Sequence, residues 1–320
     1  MQPTARFMDV GLLVSGSDPD ASIERCRSLG VTRAGIHFAG LPGVDSGQYT
    51  GTPDRAHLRE LVSRFADRNI QVFCLSKLNA LGIDPDIVRN PGTHRKEIDA
   101  MLATIEAVGE AGIPSILHYV NTKEPEDPVE DEVLWAGIAS IFKELTAQAE
   151  ASGVRLANHG IWMTVKEPLR TEALAAGVTY AGYRKFRPPR WPGPFLVRAA
   201  EHIARIVEIE APSPNNGICL CTGMYINGAD VPAMIQRFTG KIFMAQVRDL
   251  RYGRWPHSEE CQLGEGDLDF PLILRMLHDA GYRGMVHPEH FGIPRDPNED
   301  QEVEAVRRVK RWMNELMMLS

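Results

Sequence analysis

Long apolar runs, paired cysteines and an excess of positive charge are all missing from this 320-residue sequence. No segment reaches the ~18 consecutive apolar residues of a transmembrane helix, and the first residues lack the apolar core of a signal peptide, so we expect no membrane span. The five cysteines are odd in number and scattered, which predicts free thiols in a cytoplasmic protein. The net charge of -7 argues against a nucleic-acid partner, which would require a basic face.

A glycine-rich dinucleotide motif is also missing, since no G-x-G-x-x-G follows the first candidate strand. What the sequence does contain is a repeat of a short apolar run followed by an amphipathic helical stretch. The eight apolar runs, which we predict to be strands, lie at 8–14, 33–39, 70–76, 115–120, 154–160, 217–221, 241–249 and 284–290. This alternation predicts a parallel sheet, and eight such units predict an α/β fold of the (β/α)8 TIM barrel type, formed by one domain over residues 1–320.

Two segments interrupt the repeat, a Gly/Pro-rich loop at 38–53 and a longer segment after the fifth strand. Residues 161–194 include the stretch YAGYRKFRPPRWPGP and predict a long insertion loop, of a kind that is often a lid or otherwise functional. Its basic and aromatic residues at 183–191 are also compatible with a single-strand nucleic-acid patch or with an ordinary solvated loop face.

Polar side chains collect where the predicted strands end, which is where TIM barrels carry their active sites. These side chains are His37, Lys77, His118, His159, Cys221, Gln246, Arg248, Glu289 and His290. Side chains alternate along a strand, so Gln246 shares a face with Arg248, and His287 shares one with Glu289. Burying an arginine or a glutamate inside a barrel without a partner is costly, and a divalent cation with an anionic substrate would supply such partners.

His159, Cys221 and Glu289 form the best metal-ligand set, with Gln246 as a candidate fourth ligand. Imidazole, thiolate and carboxylate leave open positions for a substrate, as a catalytic metal requires. Thiolate favours zinc or iron, whereas carboxylate and amide oxygens admit manganese. The competing interpretation is that the cysteine is a small core residue and the histidine a structural one.

The remaining polar residues have expected roles around this set. Arg248 would hold a substrate carboxylate as a bidentate fork, and His290 would act as a general base or acid. His37, His118 and His287 are expected to contact the substrate.

Three blocks in the last third of the chain resemble the mannonate dehydratase family. The first is NGICLCTG at 216–223, continued by IQRFTGKIFMAQVRDLR at 235–251. The second is HSEECQLGEGDLDF at 257–270, and the third is HDAGYRGMVHPEHFG at 278–292. Gln246 and Gln262 stand where the family has histidine.

The resemblance implies a xylose-isomerase-like barrel and a divalent metal, with manganese as the expected ion. Positions matching His159, Cys221, Gln246 and Glu289 would hold it. The implied reaction removes water from a sugar acid and gives a 2-keto-3-deoxy acid. We expect a homo-oligomer that acts on a small-molecule sugar acid or sugar.

Three alternatives stay open. The same metal and the same enediolate chemistry would serve an isomerase or epimerase of a neutral sugar, which the two glutamines favour mildly. A barrel that binds a ligand without catalysis is the second alternative, also motivated by the glutamines. A nucleic-acid phosphodiesterase, suggested only by the basic cluster at 184–190, ranks last because of the acidic net charge.

Overall fold

The computed structural model describes residues 7–45, 50–76, 85–120, 131–160, 200–227, 229–251, 259–292 and 300–319. The predicted insertion loop at 161–194 lies outside these residues, so the extent of a single domain over the whole chain stays a prediction. The strand-end residue Lys77 also lies outside them.

Eight parallel strands close into a barrel in which each strand pairs with its neighbours in sequence and the last pairs with the first. The strands are β1 (Asp9–Val14), β2 (Arg33–His37), β3 (Gln71–Ser76), β4 (Ser115–Val120), β5 (Arg155–Gly160), β6 (Asn216–Cys221), β7 (Ile242–Val247) and β8 (Met285–Pro288). Each predicted strand overlaps one observed strand, so the predicted TIM barrel is confirmed. Every residue of β6 and β7 is buried, since barrel strands are covered on both faces.

The helices between the strands form the outer layer. They are α1 (Pro19–Ser28), α2 (Arg55–Ala66), α3 (Pro85–Arg89), α4 (Arg95–Glu110), α5 (Asp131–Ser152), α6 (Ala200–Ala204, continued by the π-helical turn Arg205–Glu210), α7 (Val231–Arg237), α8 (Phe270–Asp279) and α9 (Gln301–Leu319). Five of them begin after an aspartate whose carboxylate accepts a backbone N–H of the first turn, an arrangement that stabilises helix starts. These caps are Asp18, Asp54, Asp230, Asp269 and Asp300.

A small cluster of apolar and sulfur-containing side chains fills the barrel interior. Its members include Cys74, Leu117, Ala157, Cys219, Met244 and Met285. Space there is tight, because a Cβ on Gly11 would lie 2.1 Å from Cγ of Met285. The interior is therefore a packed core below the polar mouth, as the barrel architecture requires.

Three strands end earlier than the sequence predicts, and the first of them is β2, which ends at His37. β7 ends at Val247, and Asp249–Arg251 pair instead with Glu259–Cys261 in a separate antiparallel ribbon. β8 ends at Pro288, and His290 then adopts a left-handed backbone with φ of 54°. Proline offers no N–H to a strand ladder, and the left-handed conformation breaks the alternation of side chains.

Two findings concern predictions from composition. In the described parts of the chain, none of the helices has the length and apolar character needed to cross a bilayer. All five cysteines are free thiols and all are buried, which confirms the prediction of unpaired cysteines.

Candidate metal centre

Three metal-binding side chains from distant parts of the sequence meet at the carboxyl end of the barrel. His159 lies in β5, Cys221 is the last residue of β6, and Glu289 directly follows β8. One ligand atom from each lies within 4.8 Å of the others, and Cys221 Sγ is 3.8 Å from Glu289 Oε1. The histidine and the cysteine are buried, and the glutamate is half-buried. We call this set the His-Cys-Glu triad.

The electrostatics of the triad suit a bound cation. Burial raises the pKa of the Cys221 thiol to about 12, so the side chain is a neutral thiol at neutral pH unless a cation stabilises the thiolate. Burial also opposes ionisation of Glu289, but the positive charges of His290 and Arg248, followed by His287 and His159, outweigh it and lower the pKa of this carboxyl. An ionised carboxylate, an imidazole and a buried thiol form a mixed donor set that divalent transition metals accept.

Gln246 lies beside the triad on the interior of the barrel. It is fully buried, and its Cα is paired in register with Cys221 on one side and His287 on the other. Cys219 Sγ donates to its Oε1 at 3.5 Å, while its Nε2 has no hydrogen-bond partner among the described residues. A buried amide with one unsatisfied end is costly, and a half-turn about the last side-chain bond would exchange the two ends.

The residues after β6 hold Arg248 in place. The Thr222 hydroxyl donates to the Arg248 carbonyl at 2.6 Å and accepts from its backbone N–H at 2.9 Å. A Cβ on Gly223 would lie 1.8 Å from Arg248 Nε, so only glycine leaves room for this side chain. In the Cys-Thr-Gly sequence, Cys221 belongs to the triad, Thr222 binds the backbone of Arg248, and Gly223 leaves space for the Arg248 guanidinium.

Glu260 links the two predicted catalytic residues. Its Oε1 accepts from Arg248 Nη1 at 2.9 Å and lies 3.1 Å from His290 Nδ1. Burial lowers the pKa of His290, but the hydrogen bond to Glu260 and the negative charges of Glu260 and Glu289 together outweigh it, and the net effect is a raised pKa. No sequence pattern indicated Glu260, because this residue does not lie at the end of a barrel strand. The antiparallel ribbon of Asp249–Arg251 and Glu259–Cys261 places it at the site.

The segment that carries Glu260 is itself anchored. The buried carboxylate of Asp249 accepts backbone N–H groups of Gly264 at 2.9 Å and Gly266 at 2.8 Å. Burial raises the pKa of Asp249 in spite of these bonds. Gln262, at the family's histidine position, donates to the Gln301 carbonyl at 2.9 Å, so it ties the segment to α9.

The predicted substrate contacts fare differently. His287 faces the barrel interior, and its Nδ1 lies 3.2 Å from the carbonyl oxygen of Gly11. Burial lowers the pKa of His287. His37 is the last residue of β2 and lies on the same face of the strand as Gly35. A Cβ on Gly35 would point at the interior residues Leu13 and Cys74, so this face is the one that lines the barrel interior.

His118 does not join the site. Its ring lies 5.2 Å from that of Phe142 in α5, and it is paired in register with Asn158 rather than with His159. It therefore faces the helical layer, where burial lowers its pKa to about 4. We remove His118 from the set of candidate substrate contacts.

Comparison with known proteins agrees with this architecture. A family model described as a xylose isomerase-like TIM barrel matches residues 23–316. A mannonate dehydratase from Streptococcus equi subsp. zooepidemicus is 28% identical over 167 residues, which are 51% of this chain and 39% of that protein. The match thus spans less than half the length of this curated relative. The resemblance drawn from the three sequence blocks is confirmed.

Solved structures match almost the whole chain at lower identity. The mannonate dehydratase from Streptococcus suis serotype2 has a TM-score of 0.72 and 17% identity, covering 98% of this chain and 94% of that one. The IOLI protein with a binding zinc atom has a TM-score of 0.64 and 17% identity, covering 97% and 98%. At such identity these likenesses establish the fold.

Proposed function

Because the chain belongs to the xylose isomerase-like TIM barrel family, we propose that it is a divalent-metal-dependent dehydratase, a lyase that removes water from a small sugar acid. The observation that carries the proposal is the convergence of the His-Cys-Glu triad within 4.8 Å at the carboxyl end of the barrel. The curated relative that the chain resembles is a mannonate dehydratase, which suggests an aldonic acid as the substrate class. A homo-oligomeric state stays a prediction.

The triad would hold the cation, with the Gln246 amide oxygen as a fourth ligand. When bound, the cation would polarise the substrate and stabilise negative charge next to its carboxylate. Manganese is the ion that we propose, because the resemblance to the mannonate dehydratase family implies it and the carboxylate and amide oxygens admit it. The neighbour that carries zinc makes zinc the first competitor.

Arg248 and His290 would handle the substrate. Arg248 would donate to the substrate carboxylate through the guanidinium that Glu260 orients, and its buried position strengthens such a charge-assisted bond. His290, with its raised pKa, would give a proton to the departing hydroxyl. The carbon next to the α-carbon would lose its hydroxyl as water with the proton from His290, and the proton lost from the α-carbon would restore His290 through solvent, so that the net loss is one water. The enol that remains becomes the 2-keto-3-deoxy acid.

The test is an NMR assay of purified protein on a panel of aldonates and ketoses. Chelated protein is reloaded with manganese, zinc or iron before each assay. We expect aldonate turnover that depends on added metal and is lost in Glu289→Gln, whereas Glu315→Gln, an exposed change in α9, leaves it unchanged.

Three outcomes would contradict the proposal. Turnover of ketoses alone would point to the isomerase or epimerase alternative, which uses the same metal. Protein that binds no metal under any loading condition would point to a non-catalytic barrel. Equal activity before and after chelation would remove the metal from the reaction.

A further inference from the structure

The end of the barrel opposite the triad carries a cavity of about 600 Å³. Its wall is built from the first residues of several strands, among them Arg33 of β2 and Arg155 of β5, and from the turn 281–284 before β8. Strands begin here and end at the triad, so the length of the barrel separates the two sites. The volume is that of a site for a small molecule.

Three arginines line this cavity without a carboxylate partner in the described part of the chain. Arg33, Arg155 and Arg283 form no ion pair with the described acidic residues, whereas surface arginines such as Arg25 and Arg55 each pair with two carboxylates. The described lining contains no acidic side chain. Three like charges around one cavity repel each other, and an anion would relieve that repulsion.

Among the three arginines, Arg33 has the greatest need of a counter-ion, because only 5% of its surface is exposed. Its N–H groups donate to the backbone carbonyls of Arg283, Gly284 and Phe7, which satisfies hydrogen bonds but leaves the charge unbalanced. Asp9 is the nearby acid, and its carboxylate already accepts from the Thr32 hydroxyl and the Val10 N–H. A buried cation with no counter-ion in contact is a costly arrangement in a folded protein.

Aromatic rings define the rest of the cavity. The Arg33 guanidinium lies 5.6 Å from the centre of the Phe73 ring, and the Arg155 guanidinium lies 5.4 Å from the centre of the Phe243 ring. Both rings line the cavity. Guanidinium groups held over ring faces beside apolar surface suit a ligand with a flat body and an anionic group.

We propose that this amino-end cavity is a binding site for a small organic anion, in which a carboxylate or phosphate group meets the arginines and an apolar or aromatic body meets the two phenylalanines. The site is separate from the triad and does not depend on the proposed reaction. Carboxylate and phosphate share the chemistry that the arginines recognise, and the experiment separates them.

Titration calorimetry on chelated protein tests the site, with phenyl phosphate, benzoate and inorganic phosphate as probes. We expect an aromatic anion to bind and inorganic phosphate to bind more weakly, because it lacks the ring. Arg155→Gln should weaken the binding of that aromatic anion about tenfold, the usual worth of a charge-assisted hydrogen bond. Arg275→Gln, an exposed arginine outside the cavity, is the matched control and should not change it.

A second measurement keeps the proposal falsifiable if a variant folds poorly. The Ile242 methyl resonances of the unaltered protein should shift on addition of the aromatic anion, since Ile242 lines the cavity. Absence of binding by both aromatic anions, equal binding by the Arg155→Gln variant, or displacement by manganese would each overturn the proposal. The last result would place the anion at the triad instead.

Discussion

At the scale of single residues, Cys221 decides whether the triad is a metal site or a packing cluster. Its pKa of about 12 reflects burial, so metal binding must release the thiol proton. Metal affinity should therefore fall as pH falls, by about tenfold per pH unit for one proton released. Calorimetric titration with manganese across neutral pH measures this slope, and a flat profile would mean that the thiol is not a ligand.

The matched variants for this prediction are Cys221→Ala and Cys26→Ala. Both thiols are buried, but Cys26 lies in α1, outside the triad. We expect the first variant to lose cobalt binding with its sulfur-to-metal charge-transfer absorption, and the second to keep both. Retention of that absorption in Cys221→Ala would exclude the cysteine as a ligand.

Glu260 carries the second residue-scale prediction. Because its carboxylate contacts both Arg248 and His290, Glu260→Gln should misorient the proposed acid and lower kcat about tenfold to a hundredfold. Metal affinity should not change, since Glu260 is not in the triad. Measurement of kcat, KM and metal affinity separates a positioning role from a structural one.

The chain offers a close control for this change. Glu265 lies in the same segment and also pairs with two cations, Arg251 at 3.1 Å and Arg308 at 3.5 Å. Glu265→Gln therefore removes a comparable ion pair away from the proposed acid. If both variants lose activity equally, the effect comes from the segment's stability, and the positioning role of Glu260 is wrong.

At the scale of elements, the turn after β6 depends on glycine. Gly223→Ala would place a methyl group 1.8 Å from Arg248 Nε, so the arginine must move. We expect KM for the sugar acid to rise more than tenfold, because a charge-assisted bond to the substrate carboxylate is lost. Gly92→Ala, where the added methyl meets nothing within 4 Å, is the control. An unchanged KM would remove Arg248 from substrate binding.

The eight strands could be predicted from sequence because apolar runs, their spacing and the helical periodicity between them are local patterns. The position of Cys221 at a strand end follows from the same patterns. The register between neighbouring strands does not follow from local patterns. The observed register pairs Tyr119 with His159, so the adjacent residue His118 lies on the outer face of the barrel. Glu260 was missed for a similar reason, since its ribbon depends on a long-range pairing that no local pattern encodes.

At the scale of the whole molecule, the barrel separates a triad at one end from an arginine-lined cavity at the other. A ligand that binds only the folded protein stabilises it, by about 2.7 kcal/mol at one hundred times Kd, which corresponds to several degrees of Tm. Because the sites do not share residues, the Tm shifts caused by manganese and by an aromatic anion should add. Thermal unfolding in the presence of each ligand alone, and of both ligands together, tests whether the two Tm shifts add.

Variants at each end make the same experiment decisive. Glu289→Gln should abolish the manganese shift and leave the shift caused by the aromatic anion. Arg155→Gln, which weakens anion binding about tenfold, should reduce the anion shift by about half and leave the manganese shift unchanged. A manganese shift that disappears in Arg155→Gln would mean that the two ends are coupled through the barrel. Loss of both shifts in Glu289→Gln would mean that the anion and the cation occupy one site, and the amino-end cavity would then have no ligand of its own.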